Sequence, residues 1–272
     1  MHTIRRYALL RSALWLLVLF GFNSCKKGNP IFFSLQDEIQ LGQQVRDEVL
    51  NNPQEYGEVL SRSQYQAAYT YLDNLVNSIL SSPDVRYKKE FAWEVRIIHK
   101  PGVLNAFATP GGYIFVYVDL IKYLDSADQL AGVLGHEIAH SDRRHSARNL
   151  ERVYGVAILL DIVLGKSSSQ LAQITKQLAL GLAGLSFSRD MEREADEYSV
   201  IYLNSTSYRC NGAAGFFEKL QAEGKCGGLT WTSTHPDPCE RVQNINDKAA
   251  ALACENRPAT ISSYQDFKNS LP

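Results

Sequence analysis

The sequence predicts a mainly helical α+β fold in which a small sheet packs on one buried helix. Three observations carry this expectation. Apolar residues recur at helical spacing through most of the chain, and a few short runs near its middle alternate and are rich in β-formers. The third is the pentapeptide His136-Glu137-Ile138-Ala139-His140, which stands inside one of the helical runs.

Over 34–50, Leu35, Ile39, Val45 and Val49 fall near helical spacing, Ser34 offers an N-cap, and Asp37 and Glu38 occupy the first turn. A second helix over 65–80 carries Ala68, Tyr69, Leu72, Leu75, Val76 and Ile79, with Pro83 punctuating its end. Residues 91–98 alternate, and 106–108 and 113–118 flank the turn Thr109-Pro110-Gly111-Gly112, so these runs predict the strands of the sheet. Ser126, with Asp128 close behind, opens a long helix whose Leu130, Val133, Leu134 and Ile138 face the core and set it against the sheet. Residues 154–185 are strongly apolar but broken by Asp161, Gly165, Lys166 and a triple serine, which predicts a buried helical hairpin. Its first arm is too short to cross a bilayer. Helices are expected again over 191–203, 212–222 and 238–252, and no internal repeat is visible.

The chain has 272 residues, with 28 Lys and Arg against 29 Asp and Glu. A net charge of -1 gives no electrostatic footprint for nucleic acid, which is excluded as a partner class. The N-terminus departs from the rest: Arg5 and Arg6 precede an apolar run over 9–22, and Ser24-Cys25-Lys26 follows. Its uninterrupted part, 13–22, is too short to span a membrane, so 1–24 reads as a signal peptide. A cysteine directly after such a core resembles the lipobox of bacterial lipoproteins. That resemblance implies a lipid on Cys25, anchoring the chain without spanning the membrane, and Lys26 in place of an acidic residue implies the outer membrane of a Gram-negative bacterium.

Cys210, Cys226, Cys239 and Cys254 are an even set in an exported chain and predict two disulfides. Of the three pairings, Cys210 with Cys226 and Cys239 with Cys254 would each close a short loop. The absence of any C-x-x-C pair argues against a structural zinc.

On a helix, residues four apart share a face, so His136 and His140 can reach one metal ion with Glu137 beside them. A catalytic zinc usually takes three protein ligands. Glu192 or Glu194 can supply the third, and Glu192 is chosen because Asp196, four residues on, shares its face. Asp196 then orients a ligand histidine by accepting its remaining N–H. Glu137 is the expected general base, taking a proton from the attacking water and delivering it to the leaving amine. His235, in Thr234-His235-Pro236, either serves the site, through the oxyanion or by capping the metal, or caps a loop. His145, roughly 140° round the same helix from His140, is expected to support the site from behind.

Four ordered blocks resemble the gluzincin metallopeptidases of family 48 over about 91–241. They are Asn105-Ala106-Phe107-Ala108-Thr109-Pro110-Gly111-Gly112; His136 to His140 with Arg144-His145; Ser188-Arg189 leading to Glu192-Arg193-Glu194-Ala195-Asp196; and Thr234-His235-Pro236 with Arg241. The resemblance implies a zincin-type metalloprotease, one Zn2+ on His136, His140 and Glu192, catalysis by Glu137, Asp196 behind the ligands and His235 near the metal. It also implies that Asn105, Ala106, Phe107 and Ala108 bind substrate backbone by strand addition, a mode that accepts extended peptide with little side-chain preference. Ser199 stands where relatives often carry glycine. The expected organisation is a protease domain over 25–257 and a tail over 258–272. The expected function is zinc-dependent endoproteolysis of unfolded or misassembled envelope proteins in the periplasm. A chaperone-like assembly factor for outer-membrane proteins, with little proteolysis, is the alternative.

Overall fold

The computed structural model describes residues 33–164, 175–176, 186–225, 235, 238–254, 257 and 263–272, all within a unit spanning Phe32–Pro272. The expected leader over 1–24, Cys25 and most of the expected hairpin beyond residue 164 lie outside the described residues.

Helix α1 (Leu35–Asn51) starts with a reciprocal capping box: Ser34 Oγ accepts from the Asp37 N–H at 3.1 Å, and the Asp37 carboxylate accepts from the Ser34 N–H at 3.3 Å. A short helix α2 (Pro53–Tyr56), strand β1 (Glu58–Val59) and helix α3 (Gln66–Leu80) follow. Strands β2 (Glu94–His99), β3 (Ala106–Thr109) and β4 (Tyr113–Tyr117) complete a sheet of order β1-β2-β4-β3. β2 and β4 are parallel, whereas β3 and β4 form an antiparallel hairpin over a 3-10 turn, Pro110–Gly112. That turn needs its glycines, because Gly111 and Gly112 have φ of 76° and 85°, where a side chain is strained. One face of the sheet, with Val95, Ile97, Ala106, Ala108, Ile114 and Val116, joins the main core. On the other, Phe107 stacks on Phe115 at 4.9 Å, and Arg46 of α1 lies over the Tyr113 ring.

After α4 (Val118–Tyr123) comes the central helix α5 (Ala127–Asp142), opened by Ser126, whose Oγ accepts from the Gln129 N–H. Every residue of α5 except Gln129 is buried, as expected of a helix enclosed on all sides. β3 packs on one side, and helices α8 (Arg189–Asn204) and α9 (Gly212–Ala222) pack on others. Backbones touch there: a Cβ on Gly132 would lie 2.0 Å from the Ala213 nitrogen. Asp142 pins the end of α5, accepting from the Arg86 and Tyr87 N–H groups at 2.8 and 2.9 Å and from the Tyr202 hydroxyl at 2.6 Å.

The helix does not continue to His145 as the sequence expectation assumed. Arg144 adopts a left-handed conformation, φ 58°, and His145 begins a new helix, α6 (His145–Tyr154), followed by α7 (Val156–Val163). The angular projection of His145 round α5 is therefore wrong, for no glycine or proline marks this bend. No helix among the described residues is long and apolar enough to cross a membrane.

Helix α10 (Pro238–Ala251) packs on α9, and its far end meets the start of α9. This antiparallel arrangement accounts for the cysteine pairing that the sequence left open. Cys210, before α9, is bonded to Cys254, after α10, rather than to Cys226. Cys226 and the side chain of Cys239 lie outside the described residues. The C-terminal residues form helix α11 (Tyr264–Asn269), and Tyr264, Phe267 and Leu271 are buried in the main core.

Candidate metal centre

His136 and His140 project from one face of α5, one turn apart, with Nε2 atoms 2.9 Å from each other. Glu192 reaches them from the first turn of α8, with its oxygens 3.4 Å from His136 Nε2 and 3.5 Å from His140 Nε2. His235 closes the group, its Nδ1 3.2 Å from His136 Nε2 and 3.1 Å from Glu192 Oε1. One ligand atom from each of these four residues lies within 4.8 Å of the others, and all four side chains are buried.

The donor chemistry fits a cation. His136 Nδ1 lies 3.0 Å from both Asp196 Oδ1 and Arg241 Nη2. The guanidinium only donates and is taken up by Asp196, and a ring proton on Nδ1 toward that carboxylate is the tautomer that leaves a lone pair on Nε2. Burial holds His140 well below the usual histidine range, which keeps that ring neutral as well. Two nitrogens bound tetrahedrally to one zinc ion stand about 3.3 Å apart, and the spacings of 2.9–3.5 Å found here bracket that value.

Arg241, on α10, ties the acidic side together. Its Nη1 lies 2.8 Å from Glu192 Oε2, its Nε donates to Asp196 Oδ2 at 2.7 Å, and its Nη2 reaches Asp196 Oδ1. The guanidinium covers the Phe217 ring at 4.4 Å. Although burial pushes both carboxylates up, His235 and Arg241 hold Glu192, and Arg241 with His136 holds Asp196, below the ordinary range. Both therefore stay ionised.

Glu137 behaves differently. Burial pushes it up to about 8, only partly opposed by His136 and Arg241, so a proton can join or leave it near neutrality. Its Oε1 stands 3.4 Å from His235 Nε2. The Phe187 ring stacks on His140 at 3.9 Å, with 24° between the planes, and restrains the imidazole at its face.

Residues 66–249 match the model for peptidase family M48. The chain belongs to that family. It is 32% identical over 218 residues to mitochondrial metalloendopeptidase OMA1 of Schizosaccharomyces pombe, covering 79% of this chain and 61% of that protein. It is 31% identical over 182 residues to metalloprotease YcaL of Escherichia coli K12, covering 65% and 66% respectively. Against the beta-barrel assembly-enhancing protease of the same organism it is 33% identical over 175 residues, covering 60% of this chain and 35% of the relative. The chain thus spans less than two thirds of each of these relatives.

The M48 fold gathers His136, His140, Glu192, Asp196, Glu137 and His235 at one place. The predicted substrate strand is adjacent, with the Ala108 backbone against the Glu137 carboxylate. Asn105, Ala106, Phe107 and Ala108 are each no more than 3% exposed. Their backbone is already engaged, with Asn105 Oδ1 accepting from the Ala106 N–H at 3.0 Å and Ser146 Oγ donating to the Ala108 carbonyl at 3.3 Å. A peptide added to β3 must displace such contacts. Ser199 donates to the Gly132 carbonyl at 2.9 Å.

Sequence reasoning missed three supports. Phe187 carries no motif, and the tie from Arg241 to Glu192 and Asp196 follows only from the packing of α10 on α8. Glu194, the alternative third ligand, turns instead toward His145, at 3.1 Å.

Proposed function

We propose that this M48 protein is a zinc-dependent metalloendopeptidase that cleaves extended or misfolded polypeptides of the bacterial envelope. The observation that carries the reading is the convergence of His136, His140, Glu192 and His235 with Glu137 beside them. Bound zinc supplies Lewis acidity toward both water and the scissile carbonyl. His136, His140 and Glu192 would hold it, with the Asp196 carboxylate beside His136 Nδ1 orienting that ring.

Glu137 takes the proton of the attacking water and passes it to the leaving amine. Its raised affinity for a proton suits both halves of that transfer. His235, with Nε2 3.4 Å from Glu137 Oε1 and Nδ1 3.2 Å from His136 Nε2, would donate to the oxyanion or serve as a further ligand. Residues 105–108 receive the substrate backbone once the local contacts of β3 give way. Relatives named metalloendopeptidase and beta-barrel assembly-enhancing protease support proteolysis and an envelope setting.

The same reading takes 1–24 as a signal peptide, Cys25 as a lipid anchor to the outer membrane facing the periplasm, and 25–257 as the protease domain. Unfolded casein-like polypeptide tests the activity. Cleavage should stop after chelation and return with added Zn2+; cleavage that persists in metal-free protein would sink the proposal. Cys25→Ala should move the mature protein from the membrane to the soluble fraction, and an unchanged distribution would count against the anchor.

A further inference from the structure

The two histidines of α5 are held from behind in different ways. His136 Nδ1 meets a carboxylate, Asp196, at 3.0 Å, whereas His140 Nδ1 meets a second imidazole, His145 Nδ1, at 3.1 Å. For His140 to aim a lone pair from Nε2 at the metal position, its proton must sit on Nδ1. Two facing Nδ1 atoms share one proton, so His145 must accept there and carry its own proton on Nε2. That atom lies 3.1 Å from Glu194 Oε2, and a carboxylate accepts it. Arg143 closes the chain, with Nε and Nη2 at 2.8 and 2.7 Å from Glu194 Oε1. Every proton in the series then has one direction.

We propose that Arg143, Glu194 and His145 form a relay that fixes the tautomer and ring orientation of His140, and through it the metal affinity of the site. The inference rests on the metal reading of the cluster. His145 is a positioning residue and not a ligand. It reaches His140 because the chain reverses at Arg144, where φ is 58°. His145 is fully buried and meets the His140 ring at its Nδ1 edge, while Phe187 stacks on the ring face, so that ring is held at an edge by an acceptor and at a face by an aromatic ring. The relay delivers the negative charge of Glu194 through an intervening ring, while Asp196 acts on His136 directly. The two ligand histidines are consequently unequal in basicity.

Competition between the full-length protein and a chelating dye for Zn2+ tests the relay. His145→Phe fills the space of the ring but offers no acceptor, and should weaken zinc binding about 10- to 100-fold. His145→Gln, whose amide accepts at one end and donates at the other, should recover most of the loss, and Glu194→Gln should fall between. A 1H–15N spectrum of the zinc-loaded rings should place the protons on His140 Nδ1 and His145 Nε2. Wild-type affinity in both His145→Phe and Glu194→Gln would overturn the relay and leave the metal reading intact; failure of the wild type to bind zinc would overturn the metal reading itself. If His145→Phe does not fold, a proton on His145 Nδ1 in the loaded wild type overturns the relay.

Discussion

Glu38, on α1, is fully buried, with Oε2 accepting from Arg144 Nε at 2.6 Å and Oε1 without a hydrogen-bond partner among the described residues. Burial pushes its carboxyl from 4.5 up to about 7, and Arg144 offsets only part of that. Between those pH values the folded chain keeps a proton that the unfolded chain has released, so this group's contribution to stability falls as pH rises through the window. Glu38→Gln keeps the shape and removes the titration. Its stability relative to wild type should rise by about 1–3 kcal/mol across that window, measured by denaturant unfolding at each pH. A difference that does not change with pH would contradict the assignment. Ligands can be separated from neighbours at the same scale. His136→Ala and His140→Ala should each weaken Zn2+ binding more than about 100-fold, beyond the loss typical of a supporting residue. His235→Ala should retain most of the affinity, because His136, His140 and Glu192 remain. Sequence spacing assigns residues to faces but not to partners. Asp37 and Glu38 both read as first-turn acids, yet Asp37 caps its helix while Glu38 meets a guanidinium 106 positions away.

The elements themselves were largely legible. The capping serines Ser34 and Ser126 each accept an N–H three residues on, as Ser188 does without having been read as a cap, and the apolar period over 65–80 buries the six residues it picked out. What stayed hidden has a physical reason. Helices α2 and α4 are too short to show a period, and the bend at Arg144 is enforced by tertiary contacts rather than by a helix-breaking residue. Packing between elements sets the next prediction. Because α5 and α9 meet backbone to backbone, Gly132→Ala must move one helix off the other. It should destabilise the fold by about 1–3 kcal/mol and reduce Zn2+ affinity as α5 shifts. An unfolding free energy equal to that of wild type would show that the helices part freely.

At the scale of the whole molecule, the disulfide between Cys210 and Cys254 closes a loop with a sequence separation of 44. Chain-entropy arguments give such a closure about 4 kcal/mol. A double Cys210→Ser, Cys254→Ser variant should unfold at correspondingly lower denaturant, and an unchanged midpoint would exclude any stabilising role. The pairing was not legible in the sequence because it depends on α9 and α10 running antiparallel. The burial of Tyr264, Phe267 and Leu271 likewise depends on contacts with residues far earlier in the chain, such as the bond from the Tyr264 hydroxyl to the Ile121 carbonyl. The candidate site was legible because its residues stand in short motifs, with His136 and His140 one turn apart and Glu192 and Asp196 one turn apart. The most direct test compares the wild type with Glu137→Gln for zinc content and for cleavage of an unfolded polypeptide. The account predicts one zinc per chain in both proteins, internal peptide-bond cleavage by the wild type, and at least a 1000-fold loss (~4 kcal/mol) in the variant. Cleavage by Glu137→Gln at the wild-type rate, or a wild type that binds no zinc, would contradict it.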